Sequence, residues 1–499
     1  MERLEALKQE LHDTTEGEVR LDAINRNVYS VDASIYEVPP VAVVIPKSLQ
    51  DLVQTVYIAR RHGLSVTPRG AGTGITGGCL GEGIIVDTSK YMNKILEINY
   101  EKEYVICEPG LIQDTLNEAL SPAGFRLGPD TSTGNRATIG GMVANNAAGA
   151  RSLFYGKMSD HILGAEIILS SGKTLYLEEK TDNELQKILS ENTYESEIYK
   201  KIIQIKHEYK NEIEKNFPAI PRRVSGYNLD ELIKPGNINL SKLIAGSEGT
   251  LGIISKLKIK ISKKPAKTGF CILFFHDLIE GLQYISKILT YTPLSAEMID
   301  RNILEAGKKS PSFKGKSDLF PGDPDAIFVV EFQSTNEEEL KETLLRFASD
   351  MKKEAIGYEQ KIILDIDEIN RIWEIRKAGL GLLLSKRTYS RAIAFIEDLS
   401  LPPSVLFQFM KKFRLLLQKY KKQAGIYGHI GSGCMHIRPY IDLRNAEEIE
   451  IMKKIMWKVT DLLIEHGGTL SGEHGDGFIR TWLNEKLFGK KNIRSFFRS

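Results

Sequence analysis

Glycine is concentrated in a few short stretches of the chain, and the densest of them limits the possible folds most. Seven of the 42 glycines lie between Gly70 and Gly83. A strand-like run, LSVTP, precedes this stretch, and a second short strand is predicted directly after it, at residues 84–87. Glycine adopts positive φ and lets other atoms approach its backbone closely. The stretch is therefore predicted to be a ligand-binding loop between two strands.

Residues 72–77 within this loop read GTGITG and match the dinucleotide pattern G-x-G-x-x-G. In a Rossmann fold that pattern opens a helix between two parallel strands. Here the next strand follows directly after Gly83, so there is no room for such a helix. Successive bare N–H groups in a strand-to-strand loop can still hold a pyrophosphate. A long glycine turn without a ligand is the alternative, and we favour phosphate binding because each glycine raises the entropic cost of folding.

Two further segments, residues 128–157 and 246–252, are also rich in glycine and other small residues. The first reads GPDTSTGNRATIGGMVANNAAGARSLFYGK and the second reads GSEGTLG. A single helix N-terminus holds only one phosphate group. Three such segments therefore suggest one extended cofactor that touches the protein at several points.

Composition and charge exclude several classes of protein. The 499 residues are 42% hydrophobic and 26% charged, which is typical of a globular chain rather than a disordered or fibrous one. The formal net charge is only +2, whereas a nucleic-acid binder carries clustered positive charge. Four well-separated cysteines predict neither a disulfide framework nor an all-cysteine iron–sulfur site. With no signal-peptide core and no apolar run of about 18 residues, we expect a cytoplasmic protein and leave peripheral attachment to the inner face of the membrane open.

The order of predicted strands and helices indicates an α+β protein with two main domains. An N-terminal helical segment at residues 1–36 precedes a mixed domain at 37–265. That domain contains a charged helical insertion at about 178–240, which we interpret as solvated and assign no chemistry. From residue 266 onward, short apolar runs alternate with amphipathic helices, which predicts a second α+β domain at 266–499.

Three of the nine histidines lie in two short glycine-rich segments near the C-terminus. Residues 428–436 read GHIGSGCMH, and residues 472–477 read GEHGDG. The first segment is predicted to be a strand–turn–strand unit that brings His429 and His436 together. Two imidazoles and the carboxylate of Glu473 suit a divalent catalytic metal with open coordination positions. Ordinary hydrogen-bonding histidines in glycine turns are the alternative, which the repeated pattern disfavours.

The motifs PRGAGTGITGG, GPDTSTGNRATIGGMVANNAAGARSLFYGK and GSEGTLGII resemble the three cofactor segments of the FAD-binding fold in the vanillyl-alcohol oxidase and p-cresol methylhydroxylase (PCMH) superfamily. The C-terminal motifs narrow the resemblance to the FAD-linked D-2-hydroxyacid dehydrogenases, which include D-lactate, D-2-hydroxyglutarate and glycolate enzymes. It covers about residues 20–490. It implies a PCMH-type FAD-binding domain of two subdomains, followed by an α+β substrate or cap domain. No histidine lies in the glycine loop or in residues 128–157, so we expect non-covalent FAD.

The resemblance also implies which residues contact FAD. The pyrophosphate would lie on residues 69–74, and residues 128–156 and 253–254 would contact the flavin and ribityl groups. The full predicted set is Pro68, Arg69, Gly70, Ala71, Gly72, Thr73, Gly74, Gly77, Gly78, Pro129, Asp130, Ser132, Thr138, Gly140, Gly141, Ala144, Asn145, Gly149, Tyr155, Gly156, Glu248, Ile253 and Ile254.

The same resemblance assigns His429, His436 and Glu473 as metal ligands and His474 as the base. Zinc is the first expectation for the metal, and manganese or iron(II) would also fit. A neutral imidazole, with a usual pKa of about 6.5, can take the proton from a substrate 2-hydroxyl. The metal would act as a Lewis acid, and the Cα hydride would pass to flavin N5.

A carboxylate substrate is expected to be held by arginine, because the planar guanidinium group binds both carboxylate oxygens. Arg376, in the run WEIRK, matches the family's substrate-binding arginine by motif. Arg391 and Arg438 lie close in sequence to other site segments and are further candidates. Each of the three could instead be an ordinary surface or salt-bridged arginine.

One position departs from the usual family pattern. Cys434 stands where the family commonly has asparagine, and HIRP follows at residues 436–439. This variant resembles the subgroup in which the flavoprotein is fused to a C-terminal cysteine-rich iron–sulfur module. No such module follows in this sequence. We therefore expect either a separate electron-accepting polypeptide or a chain shorter than the usual form.

Together these features predict an FAD- and metal-dependent dehydrogenase that oxidises a small D-2-hydroxy acid, D-lactate or D-2-hydroxyglutarate, to the 2-oxo acid. Electrons would pass to a quinone, an iron–sulfur protein or another carrier, and not to NAD. A homodimer or a complex with an iron–sulfur subunit is expected, and no nucleic-acid partner. Two alternatives stay open: a metal-free flavin oxidase of the same fold, and an FAD-carrying electron-transfer subunit of a larger glycolate- or lactate-oxidising complex.

Overall fold

The computed structural model describes residues 2–309, 320–384 and 389–496. The strands within these ranges form sheets of four, seven and eight strands. The strands are β1 (Glu18–Arg20), β2 (Ala42–Ile45), β3 (Val66–Arg69), β4 (Ile84–Asp87), β5 (Ile95–Asn99), β6 (Tyr104–Cys107), β7 (Phe125–Leu127), β8 (Ile162–Ile168), β9 (Thr174–Lys180), β10 (Ile238–Asn239), β11 (Ile253–Lys263), β12 (Lys267–Phe275), β13 (Ser295–Asp300), β14 (Ala326–Ser334), β15 (Glu359–Ile363), β16 (Arg391–Ala392), β17 (Leu399–Ser400), β18 (Ala424–His429) and β19 (Cys434–Ile441).

Helices lie between most of these strands, which confirms the predicted α+β class. The helices are α1 (Glu2–Thr14), α2 (Ala23–Val28), α3 (Leu49–His62), α4 (Gln113–Leu120), α5 (Ile139–Ala144), α6 (Ser152–Tyr155), α7 (Met158–His161), α8 (Asp182–Ser190), α9 (Tyr194–Asn216), α10 (Leu229–Ile233), α11 (Ser241–Ile244), α12 (Leu278–Leu282), α13 (Ile285–Leu289), α14 (Arg301–Lys309), α15 (Glu337–Lys353), α16 (Ile366–Leu384), α17 (Leu406–Lys419), α18 (Ala446–Glu465), α19 (Gly477–Arg480) and α20 (Asn484–Phe496). None of the helices in the described ranges combines the length and the low polarity needed to cross a bilayer.

The four-stranded sheet has the order β1-β2-β4-β3, and its last three strands are parallel. Helix α3 begins where the Ser48 side chain accepts a hydrogen bond from the Asp51 amide, and it ends at Gly63, whose φ is 65°. Both ends are readable in the sequence, because a serine followed by an acidic residue three positions on is typical of a helix start and a glycine is typical of a helix end. The glycine loop joins the neighbouring parallel strands β3 and β4 and contains no helix, as predicted. It is therefore free to present its backbone to a ligand.

The seven-stranded sheet has the order β10-β9-β8-β11-β6-β5, and β7 pairs with β11. Strands β5 and β6 form the hairpin predicted from KILEINYEKEYVICEPG. In β11, buried side chains alternate with more exposed lysines beyond Leu257, which matches the predicted half-exposed strand. Strands β8 and β11 are antiparallel, so Ile253 at the start of β11 pairs with Ile168 at the end of β8. The 246–252 segment is joined to the 128–157 segment by hydrogen bonds from the Gly246 and Glu248 amides to the Val143 and Ala144 carbonyls.

The charged stretch at 178–240 is packed against the protein core rather than fully solvated. It contains α8 and α9, but β9 continues to Lys180 and residues 217–228 are not helical. Apolar residues recur along α9 at helical spacing, and Tyr199, Ile205 and Ile213 are buried in the main core cluster. The prediction of a solvated excursion is wrong for this face, because an apolar stripe within a charged helix still binds a core.

The eight-stranded sheet, β15-β12-β14-β13-β18-β19-β16 with β17 beside β19, is antiparallel at every pairing. Strands β18 and β19 form the predicted strand–turn–strand unit. The largest buried apolar cluster extends from residues of β6 to residues of α20, so the two halves of the chain share a core. Strand β11 ends at Lys263 and β12 begins at Lys267, while the domain boundary near Pro265 stays a prediction.

Candidate active site

A cavity of about 720 Å³ lies between the predicted cofactor segments and the eight-stranded sheet. This volume is within the range of sites that hold a cofactor or a drug-sized ligand. One side of the cavity, here called the glycine wall, is formed by residues drawn from the three segments 68–79, 130–151 and 247–254. The opposite side, here called the charged wall, is formed by side chains of α16, β18, β19 and the 473–474 loop, together with Glu397.

Most of the residues predicted to bind FAD line this cavity. They are Pro68, Arg69, Gly70, Ala71, Gly72, Thr73, Gly74, Gly78, Asp130, Ser132, Thr138, Gly140, Gly141, Ala144, Asn145, Gly149, Glu248 and Ile254. Small residues are required at several of these positions by the protein itself. A Cβ atom at Gly149 would lie 1.6 Å from the Asp130 carbonyl oxygen, and one at Gly70 would lie 2.2 Å from Thr138 Oγ1. Glycine is therefore required where the glycine loop packs against Thr138 and where the 128–157 segment folds back on itself.

Gly74 differs from these positions. A Cβ atom there would meet only the Asn145 amide nitrogen, at 3.8 Å, so packing within the protein leaves the position open. Because Gly74 lines the cavity, the open space at this position belongs to the cavity. A wall of bare backbone beside open space fits a flat, extended cofactor such as FAD.

Five of the residues predicted to bind FAD do not line the cavity, and their contact with FAD stays a prediction: Gly77, Pro129, Tyr155, Gly156 and Ile253. Ile253 is buried in the core of the four-stranded sheet, because it precedes Ile254 on a strand and therefore faces the other way. Gly77 packs against Tyr36 and Phe478 instead of the cavity.

His429 and His436 converge at the turn of the β18–β19 hairpin. Their ring centroids are 5.1 Å apart, and both side chains are buried. His429 Nδ1 lies 2.7 Å from a Glu297 oxygen, and His436 Nδ1 lies 3.1 Å from a Glu397 oxygen. Metal-binding histidines commonly donate their other ring nitrogen to a carboxylate in this way.

Glu473 lies between the histidines predicted to be its partners. Its carboxylate is 3.0 Å from His436 Nε2, 3.6 Å from His429 Nε2 and 3.5 Å from His474 Nε2. Burial acts to raise the pKa of Glu473, but the Arg222 guanidinium and the imidazoles hold it well below its usual range. The structure therefore brings together all four residues that the resemblance assigned to the metal and the base.

A second, overlapping group of candidate ligands contains Asp398, His436, Glu473 and His474, whose ligand atoms lie within 4.8 Å of one another. Asp398 Oδ2 already accepts hydrogen bonds from the Ser471 hydroxyl and from the backbone amides of Glu473 and His474. That oxygen is therefore occupied with holding the loop. The predicted set of His429, His436 and Glu473 shares His436 and Glu473 with this group.

His474 is the least buried of the three histidines, with 27% of its side chain exposed at the cavity. Its Nδ1 atom lies 3.0 Å from Glu397 Oε2 and 3.3 Å from Asp398 Oδ2. Burial acts to lower the pKa of His474, but the carboxylates of Glu397, Asp398 and Glu473 raise it well above its usual value.

Two of the three predicted substrate arginines lie at the charged wall. The Nε atom of Arg376 donates to Glu297 over 2.7 Å, and Arg438 donates to Glu397 over 2.9 Å. Both side chains are buried and line the cavity. Arg391 is exposed on β16 and does not line the cavity, so its expected position at the site is corrected, while its role in substrate binding stays a prediction. Its closeness in sequence to the site residues did not place its side chain at the site.

Sequence reasoning missed several buried residues that belong to the charged wall or contact its side chains. Glu297 lies in β13, Glu397 and Asp398 follow a buried apolar run, and Arg222 comes from the stretch that we assigned no chemistry. Arg222 donates to Glu473 and to the Ser432 hydroxyl. A carboxylate within or at the end of an otherwise apolar run is the signal that could have found Glu297 and Glu397, since a buried charge needs a partner.

Buried charges of opposite sign are balanced around the site. The carboxylates are Glu297, Glu397, Asp398 and Glu473, and the guanidinium groups are Arg222, Arg376, Arg438 and Arg480. Four of each among the described residues leave the network neutral when the histidines are neutral.

Glu248, a predicted FAD residue, connects the two walls. Its carboxylate accepts hydrogen bonds from the backbone amides of Asp476 and Gly477, at 2.8 and 2.9 Å. The Thr76 carbonyl likewise accepts from the Phe478 amide. Burial and the nearby Asp476 carboxylate raise the pKa of Glu248 to about 7. The loop that carries the predicted base is therefore tied to two of the three glycine segments.

Comparison with known proteins agrees with this architecture. The model of the FAD binding domain matches residues 40–178, and the model of the C-terminal domain of FAD linked oxidases matches residues 264–496. The chain therefore contains an FAD binding domain and the C-terminal domain of FAD linked oxidases, which confirms the predicted resemblance. The structure of p-cresol methylhydroxylase superposes with a TM-score of 0.69 and 14% identity, over 99% of this chain and 93% of the other, and thus shares the fold.

Curated relatives extend the comparison. The D-2-hydroxyglutarate dehydrogenases of Pantoea ananatis and Escherichia coli are each 32% identical over 95% of this chain and 48% of their own length. The chain thus spans about half the length of these relatives. The glycolate oxidase subunit GlcD of Bacillus subtilis is 26% identical, over 94% of this chain and 87% of its own length.

Proposed function

We propose that this protein oxidises a small D-2-hydroxy acid to the 2-oxo acid with bound FAD and a divalent metal. The observation that carries the proposal is the convergence of His429, His436, Glu473 and His474 on a cavity whose other side is the glycine wall. A substrate in this cavity could touch the predicted base and the predicted metal ligands while it lies beside the cofactor segments.

The glycine wall would hold FAD non-covalently, and FAD would supply the oxidant that accepts the hydrogen and electron pair from the substrate Cα. Gly70, Gly72 and Gly74 offer backbone to the pyrophosphate. His161, the nearest histidine after residues 128–157, does not support a covalent link. Its ring contacts the Tyr155 and Lys260 carbonyl oxygens, and it does not line the cavity.

His429, His436 and Glu473 would hold the metal, which is proposed to be zinc, with manganese or iron(II) also suited to these donors. A divalent cation there would supply Lewis-acid polarisation of the substrate hydroxyl and would offset the negative charge of the carboxylates beside His474. His474 Nε2 would then take the hydroxyl proton. Arg376 and Arg438 would orient the substrate carboxylate through N–H groups not used by Glu297 and Glu397.

D-2-Hydroxyglutarate and D-lactate are the proposed substrates. The relatives that are 32% identical are named D-2-hydroxyglutarate dehydrogenase, and a D-lactate dehydrogenase of Anaerostipes hadrus is 26% identical over 91% of this chain. Two buried arginines beside the predicted base fit a carboxylate substrate. The proposed electron acceptor is a quinone, an iron–sulfur protein or another carrier. We propose that the enzyme works in the cytoplasm, either as a homodimer or in a complex with an iron–sulfur subunit.

Anaerobic bleaching of the flavin tests the proposal. D-2-Hydroxyglutarate, D-lactate, D-malate and glycolate are added separately, with and without a chelator, and absorbance of the oxidised flavin is followed. We expect bleaching by D-isomers and not by L-isomers, and loss of bleaching after chelation that added Zn²⁺ or Mn²⁺ restores.

Two other outcomes identify the alternatives. Bleaching that is indifferent to chelation would contradict the metal site and indicate a metal-free flavin oxidase. A protein that binds FAD but is reduced by none of the hydroxy acids would indicate an electron-transfer subunit of a larger complex, for which the likeness to a glycolate oxidase subunit is the supporting observation.

A further inference from the structure

Glu397 is a fully buried carboxylate that the sequence did not mark as functional. It follows a run of buried residues at 393–396, and both Glu397 and its neighbour Asp398 are 0% exposed. Burying a carboxylate is unfavourable unless it is paired and hydrogen-bonded. The partners of Glu397 are therefore the evidence for its role.

One carboxylate reaches both imidazoles of interest. Glu397 Oε1 lies 3.1 Å from His436 Nδ1, and Glu397 Oε2 lies 3.0 Å from His474 Nδ1. The Arg438 guanidinium donates to Oε1 over 2.9 Å. An ionised carboxylate can only accept, so His436 presents its Nδ1–H to Glu397 Oε1. Glu397 Oε2 and His474 Nδ1 lie within ion-pair distance, but their orientation does not make a hydrogen bond. The Nε2 atoms of His436 and His474 point away from Glu397, toward Glu473 Oε1 at 3.0 and 3.5 Å.

Asp398 performs a different task from its neighbour. It adopts a φ of 72°, which is strained for a residue with a side chain. Its Oδ2 atom accepts from the backbone amides of Glu473 and His474 at 3.0 and 2.9 Å. Asp398 therefore fixes the main chain of the loop and lies 3.3 Å from Nδ1 of His474. Glu397 is the carboxylate that contacts the rings of both His436 and His474.

We propose that Glu397 is a positioning residue whose single carboxylate orients both rings: it accepts the Nδ1–H of His436 and lies against Nδ1 of His474. The predicted metal ligand and the predicted base then depend on the same residue. The inference rests on the proposed function for the meaning of the two histidines, but the contacts of Glu397 do not.

Glu397→Gln tests the sharing directly. A glutamine has one accepting oxygen and one donating NH₂ group, so only one of the two rings still meets an acceptor and the other faces a donor. We expect long-range ¹H–¹⁵N spectra of the imidazoles in the FAD-loaded protein to show a changed tautomer for His436 or His474. Flavin absorbance and the melting temperature serve as measures of folding.

Functional readouts accompany the spectra. If His436 is the residue that changes, calorimetric titration of metal-depleted protein should show Zn²⁺ affinity lowered about 10–100-fold, as expected for loss of an outer-shell carboxylate. If His474 changes, Zn²⁺ affinity is retained and the rate of flavin reduction at saturating substrate falls instead. Glu397→Asp keeps the charge but is one methylene shorter; it should lose contact with one imidazole and provides the test if the glutamine variant fails to fold.

Asp300→Asn is the matched control, because Asp300, at the end of β13, also carries a buried carboxylate. It accepts hydrogen bonds from the Ile303 and Ile426 amides and contacts neither histidine. The inference is overturned if Glu397→Gln leaves both imidazole spectra unchanged, or if Asp300→Asn gives the same spectral change. If the unaltered protein is bleached by no hydroxy acid, the proposed function fails, while the imidazole spectra still decide the role of Glu397.

Discussion

The glycine wall of the cavity offers backbone and very small side chains, whereas the charged wall offers buried ionic groups from distant parts of the chain. On the glycine wall, contacts come from three continuous segments, and each segment is readable as a motif. On the charged wall, Arg222 pairs with Glu473 across a separation of 251 residues. A cofactor site can therefore be recognised from local sequence, whereas the positions of the groups that would act on substrate depend on tertiary structure.

The difference also concerns what a substitution should do. A change on the glycine wall acts through space that a ligand needs, so it should alter cofactor affinity before it alters chemistry. A change on the charged wall leaves another buried charge unpaired, so it should alter reactivity and stability together. The following predictions test this division, beginning with the largest effect.

His474→Ala should abolish reduction of the flavin by substrate while the protein keeps its yellow cofactor. Removing a general base typically lowers the rate about 10²–10⁴-fold. Stopped-flow measurement of flavin bleaching gives the rate, and the flavin-to-protein absorbance ratio gives the cofactor content. A rate equal to that of the unaltered protein would show that the base is misassigned. Loss of FAD would show that the two walls are not separable in function.

Arg376→Lys should lower kcat/KM about 10–100-fold, because hydrogen bonds to charged groups contribute about 1.5–3 kcal/mol. Lysine cannot reproduce the planar guanidinium group that contacts Glu297. Arg391→Lys is the control, since Arg391 is exposed and outside the cavity, and it should change kcat/KM less than about twofold. Equal losses in the two variants would contradict the correction made to Arg391.

Gly74→Val should weaken FAD binding about tenfold or more while it leaves the FAD-free protein nearly as stable as before. The protein offers open space at this position, so the loss of affinity would arise from the volume that FAD requires. Gly149→Val, whose Cβ atom would overlap the Asp130 carbonyl, should destabilise the FAD-free protein as well. Fluorescence titration with FAD and thermal unfolding distinguish the two cases. Unchanged FAD affinity in Gly74→Val would remove that position from the cofactor site.

Glu248→Gln should flatten the pH dependence of stability, which is the smallest expected effect. The pKa of Glu248 is about 7 in the folded protein and near 4.5 in the unfolded chain. Between these values the folded protein retains a proton that the unfolded chain releases, so this group lowers the free energy of unfolding as pH rises from 5 to 7. Denaturant unfolding at pH 5, 6, 7 and 8 should show this decline in the unaltered protein and less of it in the variant. Parallel curves would contradict the raised pKa.

The sequence predicted what short segments determine. The cap at Ser48, the end of α3 at Gly63 and the β18–β19 hairpin depend on neighbouring residues, and each was found. The approach of His429 and His436 followed from that hairpin. Their distance from Glu473 did not, because α18 and the loops beside it separate the two segments.

The errors have physical causes of the same kind. Arg391 was grouped with the site because it is near in sequence, but exposure depends on which edge of a sheet a strand occupies. Arg222 was overlooked because a charged stretch is usually solvated, and here one guanidinium is fully buried beside a carboxylate. Pairing of distant charges leaves no periodic signal in a single sequence.

The hydrogen bonds from Asp476, Gly477 and Phe478 to Glu248 and Thr76 have a consequence for dividing the molecule. The C-terminal half contains Glu473, His474 and the β18–β19 hairpin. The loop that carries Glu473 and His474 nevertheless donates three backbone hydrogen bonds to acceptors in the N-terminal half. A fragment made of the C-terminal half alone would carry every proposed reactive group and still lack the support that holds them in register. A chimera made from the halves of two relatives would keep its reactive groups in place only if both halves retain the residues that form these hydrogen bonds.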